Sequence, residues 1–389
     1  KYFTSISIGV ATVWFSTHCG AGFASGTQEL QYFANHGWFG VLMPIITFAI
    51  IAFTYYIGLE TARQTDKWGY DLWSREAFGS KSKFLTPAMD FSIIITTIAA
   101  TAATIATGGL LGNQYLGLPI AVGSIAMFVI VTLLSIFGEN IVRKNAMIMT
   151  SAILIIITIV LVAGLIKFAP DIARLFKAGY VNPQSARWSI SGKGAPVPGN
   201  VGNSLLWALT YAGFQISAIG GIAASFKGGK FKEEAKGAMT IGAVILMLIG
   251  ICLLIFSQMP HIFTDQATRK LPTVFIVNQL NIPVLAVLYP ILLFLALITT
   301  AVGFIFGMVQ RLDPYVLKNM ESKPVLRKAI ISICCLLVCY GVSNFGLMWV
   351  IQVAYKYLGI FNWIFIILPL WFLGYKNIKK RDKGEKLEV

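Results

Sequence analysis

Apolar residues run through the chain in blocks of about 20, the length a helix needs to cross ~30 Å of hydrocarbon. Short polar or glycine- and proline-bearing segments separate the blocks, and the short alternating segments of a transmembrane β-barrel are not visible. The pattern predicts an all-α polytopic membrane protein with about ten transmembrane helices. The expected spans are 4–36, 39–62, 86–112, 118–138, 145–168, 201–226, 235–258, 283–310, 326–343 and 346–375. The first block is too long for one straight span and carries Gly20, Gly22 and Gly26. It therefore reads as two half-helices around a mid-membrane break. The sixth is similar, with Gly213, Gly220 and Gly221 near its middle.

Composition agrees with this reading. Of 389 residues, 57% are hydrophobic and 12% charged, against about 25% charged in a soluble domain. The first block is long and leads directly into further membrane segments, so it reads as a span and not as a cleavable leader. The five cysteines (Cys19, Cys252, Cys334, Cys335 and Cys339) all sit in apolar runs without metal-ligand spacing, as expected of buried packing residues.

A net charge of +15 would by itself suggest a polyanionic partner. Its distribution is topological instead. With the N-terminus inside, most of the 31 Lys and Arg fall on the cytoplasmic side, from Arg63–Lys83 through Lys227–Lys236 and Arg311–Lys328 to Lys376–Lys386. Only Lys167, Arg174, Lys177, Arg187, Lys193, Arg269 and Lys270 fall outside, and Lys356 lies within the last span. The expectation is a multi-pass protein of a bacterial cytoplasmic (inner) membrane with both termini cytoplasmic. Its partners are a small-molecule substrate and the lipid bilayer, with no nucleic acid. Two long outer connections could each cap a vestibule: 169–200, with room for a short helix, and 260–282. The second contains an amphipathic stretch, Thr273 to Leu280, between Pro272 and Pro283.

The run from Ser16 to Gly26 packs three glycines and three β-hydroxyl residues into mid-membrane. Backbone groups freed by unwinding there need partners, which a bound solute and ion can supply. The positive end of the following half-helix suits an anionic group such as a carboxylate. Close helix packing through Gly22-xxx-Gly26 is the other reading. The second interrupted span, five spans on, favours a transport site, because paired interruptions in two halves mark such sites. Dividing the chain five-plus-five gives inverted repeats over 1–168 and 201–375, followed by a basic tail, 376–389.

His18-Cys19-Gly20-Ala21-Gly22-Phe23-Ala24-Ser25-Gly26-Thr27-Gln28-Glu29 resembles the first-helix segment of YkvI-type membrane proteins, a bacterial branch of the amino acid–polyamine–organocation superfamily. Tyr289-Pro290 and Thr299-Thr300-Ala301-Val302-Gly303 are similar to the same family, and His18-Cys19 departs from its usual pattern. The resemblance implies the LeuT fold, with ten core helices in two inverted repeats and substrate held at the breaks in helices 1 and 6. It also implies sodium as coupling ion. The ligands would be the carbonyls of Ser16, Cys19 and Ala296 with the hydroxyls of Thr299 and Thr300. Oxygen ligands suit a hard cation. Hydroxyls bonded back to their own helix are the alternative reading.

The remaining candidates follow from position. His18, Gly20, Ala21, Gly22 and Ser25 at the first break are substrate-binding candidates, as are Tyr211, Phe214 and Gln215 at the sixth. By resemblance, Phe214 covers the substrate. Thr97, Thr101 and Thr104 recur at helical spacing and could line the site, Thr101 as a substrate-binding candidate, or could equally be small contacts for neighbouring helices. Intramembrane ionisable groups are functional candidates. Glu29 could gate the outer path, pair with a cation, recognise an amine or lie solvated at the interface. His18 could touch substrate, titrate, or serve packing. Glu60 and Asp90 read as solvated near cytoplasmic ends, and Glu139 as paired with Arg143. None of the three His has a metal-ligand spacing, and no P-loop is visible, so an enzyme is not expected. The leading reading is a secondary active transporter, a sodium symporter of an amino acid or related nitrogenous solute working by alternating access. A proton-coupled carrier or uniporter is the alternative within the class. An ion channel or membrane-embedded ligand sensor is the alternative outside it.

Overall fold

The protein was analysed as a computed structural model. It describes residues 2–33, 40–137, 139–179, 201–259, 271–313, 316–317, 320 and 322–385, the side chains of 139–147, 201, 203 and 257 aside. The expected Glu139–Arg143 pair, residues 180–200 with their short helix, and Arg269 and Lys270 lie outside the described residues.

In chain order the helices are α1 (Ser5–His18), α2 (Ala21–Ala24), α3 (Thr27–Tyr32), α4 (Leu42–Thr65), α5 (Tyr70–Phe78), α6 (Ser82–Leu116), α7 (Ile120–Phe137), α8 (Glu139–Lys177), α9 (Val201–Gln215), α10 (Ile219–Ser225), α11 (Lys232–Ser257), α12 (Pro272–Gln279), α13 (Pro283–Leu312) and α14 (Pro324–Ser343). The last span, α15 (Leu347–Asp382), is long and includes three π-helical stretches, Val350–Ala354, Trp363–Ile367 and Leu370–Gly374. Proline opens α12, α13 and α14, where its missing N–H costs no helical bond.

Among the described residues, nine helical stretches are long and apolar enough to cross a membrane. The first expected span is absent from that set because α1, α2 and α3 divide it. Burial sorts the spans into centre and periphery. The span Ser204–Ser225 is 67% buried, whereas Ile120–Phe137, Ile148–Lys177 and Pro324–Ser343 are 22% buried and face outward. Val122, Ile125, Val129 and Leu133 form an exposed apolar stripe along α7, as lipid contact requires. The chain is an all-α polytopic membrane protein.

Several details differ from the sequence reading. The first span breaks twice. Gly20 N–H turns to the His18 carbonyl at 2.8 Å, and Gly26 adopts a left-handed conformation (φ 81°). The segment after the first break is thus two helices of four and six residues, which shortens the dipole expected there.

The sixth span breaks one turn later than expected. Gly213 lies inside α9 and a 3₁₀ turn, Ile216–Ala218, separates α9 from α10. Gly213 serves close packing, since a Cβ there would overlap the Gly359 backbone. Glu60 is fully buried and paired with Arg63 at 2.6 Å, and Asp90 is paired with Arg311 at 2.8 Å, so neither carboxylate is simply solvated. α8 continues past 168 to Lys177, and the last helix runs to Asp382, into the expected tail. The amphipathic helix α5 was not legible as a separate element. It buries Trp73, Ser74, Ala77 and Phe78.

Candidate functional site

The interruptions of the first and sixth spans meet at a small cavity of about 40 Å³. Thr17, His18, Gly20 and Ala21 line it from the first span, and Phe214, Gln215 and Ala218 from the sixth. Gln28, Thr96, Ala100, Thr300, Phe304 and Tyr355 complete the wall. No Lys, Arg, Asp or Glu is among them, so the wall offers neutral amide, hydroxyl and imidazole groups on an apolar frame. Phe214 stacks on Tyr355 with ring centroids 4.5 Å apart and planes 5° from parallel.

A second cavity of about 500 Å³ shares Thr17, Ala218, Thr300 and Phe304 with the first. It runs past Ser16, Thr97, Ser217 and Thr299 to Trp68, Tyr70 and Arg311, at the basic end of the bundle. At that mouth Arg311 grips both oxygens of Asp90, and the Tyr70 hydroxyl donates to Asp90 at 2.5 Å.

The opposite side is sealed. α12 lies across the second interruption of the first span, where Thr273 N–H donates to the Ser25 carbonyl at 3.0 Å. A Cβ on Gly26 would come 2.6 Å from Thr273 Oγ1 and 2.9 Å from Pro272. The Tyr289 hydroxyl donates to the Ala24 carbonyl from α13.

Above the cavity lies a buried polar cluster. His18 Nε2 is 3.0 Å from the Tyr211 hydroxyl, which also lies 3.3 Å from Gln28 Oε1 and 3.3 Å from Glu29 Oε1. Gln215 Nε2 donates to Gln28 Oε1 at 3.4 Å. Glu29 is fully buried, and its Oε2 has no hydrogen-bond partner among the described residues, nor has His18 Nδ1. No Lys or Arg pairs with Glu29 in that set. Burying a carboxylate unpaired is costly, which sets Glu29 apart from the paired Glu60 and Asp90.

Three of the five sodium-ligand candidates, Ser16, Thr299 and Thr300, share the wall of the larger cavity, and Cys19 and Ala296 are buried. Because Gly20 N–H turns to His18, the Ser16 carbonyl loses the partner that a continuing helix would supply. Thr300 Cγ2 sits 3.5 Å from the Cβ position of Gly20, which brings α13 against the break. Thr299 Oγ1 donates to the Ala296 carbonyl at 3.0 Å, the intrahelical bond weighed above.

The other substrate candidates divide. His18, Gly20, Ala21, Phe214 and Gln215 line the small cavity, and Tyr211 backs it through His18. Ser25 turns to the Gly22 carbonyl and Thr27 Oγ1. Gly22 makes room for Gln28, whose side chain would overlap a Cβ there. Thr101 is buried and lines neither cavity. The side of α6 that lines the small cavity runs through Thr96 and Ala100 instead, about 100° away for each one-residue step.

The sequence reading passed over Gln28, Thr96, Tyr355, Ser92 and Asn362. Asn362 Nδ2 donates to the Gly213 carbonyl and Ser217 Oγ, both at 2.9 Å, while Ser92 Oγ donates to Asn362 Oδ1 at 2.6 Å. This trio pins the sixth-span break to α6 and α15. Its signal was an asparagine midway along an apolar span, a position that requires partners.

No family profile and no curated protein sequence matches the chain. Solved structures do match. MhsT in complex with L-phenylalanine aligns over 97% of this chain and 98% of its own, with 12% identity and a TM-score of 0.61. A sodium-coupled sialic acid symporter, in a substrate-bound outward-open state, aligns over 96% and 78%, with 14% identity and a TM-score of 0.58. A manganese transporter from Eremococcus coleocola aligns over 96% and 84%, with 13% identity and a TM-score of 0.56. The chain shares the LeuT fold of these transporters, as the first-helix motif implied.

Proposed function

We propose that the chain is a secondary active transporter that carries an amino acid or related small nitrogenous solute with sodium by alternating access. The observation that carries this reading is the meeting of the two interrupted spans at a neutral polar cavity, closed on one side and joined on the other to a wide cavity. Sequence-based orientation puts that wide cavity on the cytoplasmic side of a bacterial inner membrane, with both termini cytoplasmic, so the conformation described is inward-facing. His18, Gly20, Ala21, Phe214 and Gln215 contact the solute, and Ser25, Gly22 and Tyr211 support them from behind. Sodium is held by the carbonyls of Ser16, Cys19 and Ala296 and the hydroxyls of Thr299 and Thr300. Residues 1–168 and 201–375 are the two inverted repeats, and the segment His18–Glu29 supports membership of the YkvI-type branch.

The ligands named for the three structural neighbours are diverse: MhsT is in complex with L-phenylalanine, and the other two are a sialic acid symporter and a manganese transporter. The neutral wall here favours an uncharged or zwitterionic solute over one of net charge, because an unpaired ion in such a site is costly.

The test is thermal stability of the purified protein with sodium or potassium, against a panel of amino acids and related solutes. A ligand that binds the folded state raises the apparent midpoint by mass action. The expected result is stabilisation by one solute class only when sodium is present. Equal stabilisation in potassium would overturn sodium coupling.

A second reading, proton coupling in the same fold, is favoured by one feature: Glu29 is buried with no Lys or Arg paired to it among the described residues. Under it, uptake into proteoliposomes would follow a pH gradient and ignore sodium.

A further inference from the structure

The last span is too long for the membrane it crosses. Its 36 residues extend about 54 Å at 1.5 Å per residue, against ~30 Å of hydrocarbon. The terminal α-helical part, Tyr375–Asp382, therefore emerges into the headgroup region.

The emerging helix is held in one rotation. Ile378 is 2% exposed. Asn377 Nδ2 donates to the Ala77 carbonyl at 3.0 Å, and Arg381 Nη2 donates to the Glu76 carbonyl at 2.8 Å. These contacts dock one face on α5. They fix the opposite face outward, and that face carries Lys376, Lys379, Lys380 and Lys383. The spacing i, i+3, i+4, i+7 places all four within an arc of about 100°. No carboxylate pairs with any of the four among the described residues.

One turn deeper, the same side of the span presents aromatic residues. Phe372 is 71% exposed, and Trp371 and Tyr375 flank it. Lys379 Nζ lies 4.5 Å from the centroid of the Tyr375 ring. The four lysines, the three aromatics and one carboxylate, Glu385, together enclose a groove of about 420 Å³, so cations outnumber the single acid four to one. Aromatic rings at the acyl–headgroup boundary, with unpaired ammonium groups above them, match a phospholipid whose headgroup is anionic.

We propose that this groove is a binding site for an anionic phospholipid, its phosphate held by Lys376, Lys379, Lys380 and Lys383 and its acyl chains lying along Phe372 and Trp371. A lysine set that served only to orient the chain would need neither a fixed rotation nor an apolar floor. Through Asn377 and Arg381 the lipid is linked to α5, and α5 packs on α6 beside the mouth of the wide cavity.

The test uses the full chain in vesicles of phosphatidylcholine alone and of phosphatidylcholine with phosphatidylglycerol in equal parts. The lipids retained after extraction are counted by native mass spectrometry. Wild type should retain phosphatidylglycerol over phosphatidylcholine by on the order of tenfold or more, since each lysine near an anionic surface is worth about a fivefold preference. The variant Lys376→Gln/Lys379→Gln/Lys380→Gln/Lys383→Gln should lose most of that preference. A quadruple variant with undiminished preference would overturn the proposal. Because that variant could fail to insert, a second measurement uses wild type alone. Raising salt should erode the preference as charges are screened, and a salt-independent preference would equally overturn it. Inorganic phosphate added to protein in detergent should not raise the thermal midpoint as phosphatidylglycerol does. An equal rise would assign the groove to a free anion instead of a lipid. None of these readouts depends on transport, so they stand apart from the test of the proposed function.

Discussion

The carboxyl of Glu29 meets the hydroxyl of Tyr211 at 3.3 Å, across the two interrupted spans, and its second oxygen meets no hydrogen-bond donor among the described residues. A single phenolic hydrogen faces Gln28 Oε1 and Glu29 Oε1 at the same distance, so it serves only one of them at a time. Glu29→Gln keeps the shape and supplies an amide donor. Under sodium coupling this variant should fold and keep its sodium-dependent thermal shift. Loss of sodium-independent, pH-driven uptake in the same variant would instead make Glu29 the coupling group. Glu29→Ala leaves the Tyr211 hydroxyl its His18 and Gln28 partners, so its cost is that of the cavity left behind, which thermal unfolding in detergent reads.

The two hydroxyls of α13 have unequal roles. Thr299 is already bonded within its own helix, whereas Thr300 stands against Gly20 at the break. Thr299→Val with Thr300→Val should abolish the sodium-dependent stabilisation while the protein still inserts, and Thr300→Val alone should remove more of it than Thr299→Val alone. Midpoints in sodium and potassium for the three variants check this. A double variant with wild-type sodium dependence would exclude the proposed ion site.

Gly22 acts at one remove. Any side chain there displaces Gln28, which lines the small cavity. Gly22→Leu should abolish solute-dependent stabilisation and leave sodium's own effect measurable. Binding that survives undiminished would make the glycine a packing residue only.

Asn362 satisfies Gly213, Ser217 and Ser92 at once. Asn362→Leu should lower stability by about 1–3 kcal/mol through the polar groups left unpaired, the effect appearing as a lower unfolding midpoint. Ser92→Ala should cost less, since Ser217 and Asn362 still bond each other. Equal losses would mean that the trio is not the anchor of the sixth-span break.

Span count and the pairing of the first and sixth spans were legible because both are written in one-dimensional pattern: runs of apolar length, and glycines within them. What failed was depth within a helix. Gly213 reads as a breaker, yet its function depends on Gly359, 146 positions later, whose backbone fills the space a Cβ would take. The break itself falls at Ser217, which no local signal marks. Thr101 and Thr96 differ by little more than one turn, and only packing against α14 and α7 decides which of the two helix faces reaches the cavity. Glu29 was recognisable as unusual from its type and depth. Its burial was not, because the elements packed on α3, namely α9, α11 and the last span, come from far along the chain.

The seal over the first span rests on a main-chain bond, Thr273 N–H to the Ser25 carbonyl. Side-chain replacement at either position leaves that donor and acceptor in place, proline at 273 excepted. That bond is therefore insulated from most single-nucleotide change at 25 and 273, whereas the cavity wall beneath is built from side chains and changes with them.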